Sequence, residues 1–202
     1  TTSWRPGYSV RDQRELPVLA TTPTGAYELR VRLMDGATET GVATLSAISV
    51  DGRPRLMEQP YVEKPVRATF GENLLLAGMN DLPGSPIAPG STLPLTFVWK
   101  PLHTSAGPLV RSVQLLDAAG ALVAQSDGIP CGETCPATSW LPNEYLVDTT
   151  ALSIPAQLPP GAYSVIVGWY DPETQKRLPG VDVDGASLRD NMAQLGDVTV
   201  GN

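Results

Sequence analysis

Histidine and cysteine are almost missing from this 202-residue sequence, which holds one His and two Cys. Phenylalanine occurs twice, long apolar runs are absent, and 14 basic residues face 21 acidic ones. Each shortage argues against a class of function. A single imidazole leaves His103 as the only base open to a Ser/His/Asp hydrolase, and neither a G-x-S-x-G elbow nor an S-x-x-K pair accompanies it. His103 therefore reads as a loop residue between two strands. The thiols of Cys131 and Cys135 would need further ligands to hold zinc, and one distant His is a poor third. No metal and no cofactor are expected. The scattered Lys and Arg, the net charge of −7 and the pI near 4.6 argue against nucleic acid, whose phosphates call for clustered cations. The longest apolar stretches reach about six residues, far short of the roughly 20 in a spanning helix, so no membrane insertion by this segment is expected.

What is abundant is proline, 20 residues, and glycine, 19, lying between short alternating apolar runs. That spacing is the punctuation of an all-β fold with many turns. In the Cys131-Gly-Glu-Thr-Cys135 stretch the spacing is not that of a thioredoxin motif. A short-range disulfide pinning a loop is the expectation, with two free thiols as the alternative, and a disulfide would point to an oxidising compartment. The sequence begins at Thr1 without Met, which suggests that a signal or upstream region has been removed.

The sequence repeats itself. Thr2-Ser3-Trp4 and Pro6 return as Thr138-Ser139-Trp140 and Pro142. At the same offset Pro23, Gly25, Ala26 and Tyr27 return as Pro159, Gly161, Ala162 and Tyr163, and Asp35 returns as Asp171. No gap is needed over the 34 pairs from Thr2 to Asp35, of which 13 are identical, too many for chance. Leu45–Val50 resembles Leu195–Val200 after a loop that is longer in the second copy. The expected fold is therefore an Ig-like antiparallel β-sandwich: one complete unit at 63–202, preceded at 1–62 by the last three strands of a related upstream unit, with Gln59–Pro65 as linker. The alternative is that the first three strands join the second unit in one composite fold.

Alternation predicts strands near 8–18, 26–34 and 44–50 in the first copy. In the second it predicts 69–78, 92–99, 110–117, 121–126, 144–152, 162–170 and 195–200. A short helical turn fits 186–193 at best. Tyr163, Val165, Val167 and Trp169 share one face of their strand and should be core, and their counterparts Tyr27, Leu29, Val31 and Leu33 keep that face apolar. The other face carries Glu28, Arg30 and Arg32 in the first copy, which is solvated. In the second it carries Ser164, Ile166 and Tyr170, which another strand or a partner would cover. Tyr27 and Tyr163, each following Gly-Ala, suit the tyrosine corner of Ig-like sandwiches.

Five segments carry a family pattern: Phe70–Gly78, Leu93–Lys100, Val113–Gly120, Thr138–Pro142, and Leu158–Tyr163 running on to Trp169-Tyr170-Asp171-Pro172. Together they resemble the extracytoplasmic β-sandwich accessory region of Chloroflexi-type membrane glycosyltransferase-like (mannosyltransferase-like) proteins. The resemblance implies a domain outside the membrane, at the cell surface or extracellular, beside transferase chemistry located elsewhere. It carries over no catalytic residue.

Possible sites are few. Most acidic residues fall in turn sequences such as Asp35-Gly36, Asp51-Gly52 and Asp127-Gly128, which turn chemistry explains without catalysis. Asp182, Asp184, Asp190 and Asn191 offer hard oxygen ligands without EF-hand spacing, and read as a solvated acidic loop. Trp140, Tyr145 and Tyr170 are the best candidates for stacking on a sugar, although the repetition of Trp4 at Trp140 argues for packing. The expected function is a non-catalytic extracellular module, a spacer or interaction domain. A carbohydrate-binding module presenting glycan to a transferase is the alternative, and a glycan or protein is the expected partner. Any dimer would reflect pairing of strand edges.

Overall fold

The computed structural model describes residues 7, 9, 11–132 and 134–201. The described residues are all-β, with no helical element among them beyond two short 3-10 turns at Ala137–Ser139 and Arg189–Asn191. The chain forms two compact units, Thr1–Gly52 and Arg53–Asn202. The repeat had placed the division between 62 and 63.

The first unit is a two-stranded antiparallel hairpin of β1 (Gly25–Asp35) and β2 (Thr38–Val50). Gly36 sits at the turn between them with φ +58°, a left-handed conformation that glycine adopts without steric cost. Of the strand expected near 8–18, none of the described residues is in a strand. Residues 11–19 are exposed and have no strand neighbour among the described residues, and Trp4 and Tyr8 lie outside those residues. Alternation supplies a strand with a face but not with a neighbour, and a lone extended segment leaves its backbone groups to water.

The second unit is an antiparallel β-sandwich. One sheet runs β10 (Gly180–Val181), β3 (Lys64–Phe70), β4 (Leu74–Met79), β5 (Thr92–Pro101), β8 (Leu146–Ser153). The other runs β11 (Ala193–Val200), β9 (Gly161–Tyr170), β6 (Val110–Leu116), β7 (Leu122–Gly128). The single strand expected at 69–78 is in fact two, broken by a turn at Gly71, whose φ is +58°. The stretch expected to be linker begins β3 at Lys64, and Leu56 pairs with Tyr145 before it.

The two inner faces meet as period-two alternation requires. Leu93, Leu95, Phe97 and Trp99 of β5 face Val165, Val167 and Trp169 of β9 across one continuous core. Three indoles mark its centre: Trp169 lies edge-on to Trp99 at 5.0 Å and to Trp140 at 5.5 Å between ring centroids. Side chains of this size each contribute roughly 2–3 kcal/mol when fully buried. The Trp140 indole N–H donates to the carbonyl oxygen of Cys135, so its one polar group is satisfied inside the core. Cys131 and Cys135 are joined by a disulfide that closes the loop before Trp140.

The hairpin of the first unit and the β9–β11 pair of the second share their register. Gly25, Ala26 and Tyr27 pair with Val50, Ser49 and Ile48. Gly161, Ala162 and Tyr163 pair with Val200, Thr199 and Val198. Each ladder then shifts by one residue at the same place, after Leu29 and after Val165, leaving Leu45 and Leu195 as the extra residues. Tyr27 donates its hydroxyl to the Pro23 carbonyl oxygen and Tyr163 to that of Pro159, both at 2.8 Å.

Candidate functional site

The sandwich turns one polar face outward, on β6, β7 and β9. Alternation that sends Val113, Leu115, Val165 and Trp169 inward sends Ser112, Gln114 and Tyr170 the other way. Gln125 and Asp127 on β7 join them, and the β9–β11 connection adds Gln175 and Arg177. Together they line a shallow cavity of about 200 Å³. The Tyr170 hydroxyl donates to Asp127 Oδ2 at 3.2 Å, and Arg177 Nη2 reaches Gln114 Oε1 at 3.5 Å. Burial pushes the Tyr170 phenol above its ordinary value near 10, and the Asp127 carboxylate adds to the shift by its charge and its hydrogen bond. Amides, a carboxylate, a guanidinium and one phenol form a set suited to holding hydroxyl groups by hydrogen bonds. Sequence reasoning singled out Tyr170 alone; the outward-facing Ser112-x-Gln114 and Gln125-x-Asp127 alternations were the available signal for the others.

The other two sugar-stacking candidates lie elsewhere. Trp140 is fully buried and has no ring face open to a sugar. Tyr145 is half-buried beside a second cavity of about 330 Å³, with Val62, Leu75 and Lys100 among its lining. The Lys100 ammonium stands 5.5 Å from the Tyr145 ring centroid, a cation–π contact on the one ring face. Tyr145 adjoins the β3–β4–β5 sheet while Tyr170 belongs to the opposite one, so no two of the three rings share a surface.

The buried acids are structural. Glu144 is completely buried and holds both Arg53 and Arg55, the latter at 2.8 Å, while accepting the Leu141 N–H at 2.9 Å. Asp148 accepts from the Trp99 indole at 3.2 Å and pairs with the Arg111 guanidinium, both partners being buried. Each carboxylate is buried against cations and N–H donors, and among their oxygens Asp148 Oδ1 alone is left without a hydrogen-bond partner. The acidic loop is a turn: Asp182 Oδ1 accepts from the backbone N–H groups of Asp184 and Ala186, each at 2.9 Å. Among the described residues, no group of three His, Cys, Asp or Glu side chains is placed to share a metal ion. His103 is exposed in the turn after β5.

No family model and no curated protein matches the chain. Among solved structures, the C-terminal domain of wzt is similar at 9% identity over 69% of this chain and 83% of its own, with a TM-score of 0.48. A CARDB domain from Pyrococcus furiosus, solved in complex with di-metal ions, is similar at 15% identity over 72% of this chain and 96% of its own, with a TM-score of 0.31. These likenesses carry no ligand or activity to this chain.

Proposed function

We propose that this chain is a non-catalytic module of a larger cell-surface or membrane-anchored protein, acting outside the cytoplasm as a spacer or interaction domain. The observation that carries the reading is where the chemistry-bearing side chains go. The three indoles fill the core, and the two buried carboxylates neutralise arginines, so the residues that could have built a site hold the sandwich together. The strand order, with Tyr163 at a corner between β8 and β9, supports an Ig-like arrangement. The disulfide supports an oxidising compartment. Among the described residues no helix is long and apolar enough to cross a membrane. The resemblance of the sequence to the accessory region of glycosyltransferase-like proteins implies membrane-bound machinery beside such a module.

A carbohydrate-binding role is the second reading, favoured by the hydroxyl-binding character of the Tyr170 cavity. A glycan-array screen of the wild type separates the two. Binding that is lost in a folded Tyr170→Ala variant would make this a sugar-recognition module. A clean negative leaves the spacer or interaction reading.

A further inference from the structure

The first unit carries residues whose counterparts in the second unit are buried but which are themselves exposed. Leu16 is 67% exposed and Val18 57%, whereas their counterparts at the repeat offset, Leu152 and Ile154, are 0% and 3% exposed. Val31, Leu33 and Leu45 are likewise exposed, and their counterparts Val167, Trp169 and Leu195 are core. Asp12 is the most telling. Its counterpart Asp148 is buried between the Trp99 indole and the Arg111 guanidinium. Among the described residues Asp12 has no indole partner, and its guanidinium contact is local and exposed, to Arg14 two residues away. The aspartate that in the second unit serves a buried tryptophan and arginine recurs in the first at the same repeat offset, on an exposed face.

We propose that the face of the first unit formed by residues 11–50 is a docking surface for a β-segment built like residues 64–137 of this chain, preceding it in the same polypeptide, and that the two close into a second sandwich. The second unit specifies the pairing. Residues equivalent to β5 would lie along 11–17, because Asp148 pairs with Phe97 and Leu152 with Leu93. Residues equivalent to β6 would lie along the unpaired edge of β1, because Val167 pairs with Val113 and Val165 with Leu115. The opposite face, with Glu28, Arg30 and Arg32, stays in water, so one side only is to be covered. The incoming segment should carry an indole at the Trp99 position and a guanidinium at the Arg111 position. A single apolar face left open on a two-stranded hairpin is otherwise unstable in water, since isolated hairpins are marginal.

The test extends the full chain by placing a copy of residues 64–137 directly before Thr2. Hydrogen exchange should slow at the amides of 11–17 and 25–34 by about 100-fold or more relative to the parent chain, as for backbone moved from a frayed to a cooperative unit. Because Leu33 is smaller than Trp169, a second extended protein carries Leu33→Trp to fill the space beside the incoming indole. Asp12→Ala should cancel most of the protection in the extended proteins and leave exchange in the parent unchanged, which generic hydrophobic collapse would not do. Parent-like exchange at 11–17 in both extended proteins would overturn the proposal. So would a parent chain that protects these amides on its own by dimerising, as judged by sedimentation, because the occupant would then be a second copy.

Discussion

The Tyr163 hydroxyl donates to the carbonyl oxygen of Pro159 at 2.8 Å, tying the start of β9 back to the turn that delivers it. The bond is partly buried, and Tyr163 packs its ring in the core. Tyr163→Phe should therefore lower stability by about 1 kcal/mol in urea unfolding, through loss of one sheltered hydrogen bond. The same change at Tyr27, whose bond to Pro23 is exposed, should cost little. Equal costs at the two positions would mean that burial does not set the strength of the corner.

Among the described residues, Arg111 and Asp148 form the one ion pair whose two side chains are both nearly inaccessible. Asp148→Ala leaves the guanidinium buried without its counter-charge and should destabilise the sandwich by roughly 3–5 kcal/mol. Replacing both, as Arg111→Met with Asp148→Leu, should cost much less than the sum of the single changes, because no orphan charge remains. Additive losses in denaturant titrations would show that the pair acts as two independent packing groups.

Much of this architecture was legible because a period-two pattern and a repeat are local properties of a sequence. The faces of β5 and β9 follow from Leu93-x-Leu95-x-Phe97-x-Trp99 and Tyr163-x-Val165-x-Val167-x-Trp169, and the structure buries all eight. The failures are non-local. Alternation around Asp12 to Val18 promised a strand that needs a neighbour to form, and none of the described residues supplies one. The polar cavity around Tyr170 draws on β6, β7, β9 and the following loop, and their adjacency is a matter of sheet order, which no local pattern encodes. For Trp140 the repeat argues for packing, with stacking on a sugar as the alternative. Its 3-10 turn and the bond to Cys135 decide for packing. Glu144 was overlooked for the opposite reason: its partners Arg53 and Arg55 lie some ninety positions away in sequence.

The Cys131–Cys135 bridge closes a loop of only five residues, so the chain entropy it removes is small. Intact protein should weigh two hydrogens less than the reduced form, and thiol labelling after unfolding should find no free Cys. Reduction should cost about 2 kcal/mol and leave the sandwich folded. Quantitative labelling of unreduced protein would contradict the bridge.

Tyr170 offers a titration that reads the polar cavity without a ligand. Its phenol is held above the ordinary value near 10, first by burial, then by the Asp127 charge and the hydrogen bond between them. Ultraviolet titration should show one tyrosine ionising later than an exposed one, and Asp127→Asn should bring it down only part of the way, since burial remains. The sign for stability follows. A folded pKa above the unfolded one gives a contribution that is complete below the unfolded value and is lost as pH rises through the folded one, because the unfolded chain releases its proton first. Wild type should therefore lose stability above about pH 10 more steeply than Tyr170→Phe. If the two curves run parallel through that window, Tyr170 is solvated like a free phenol and the cavity is too open to hold a hydroxyl against water.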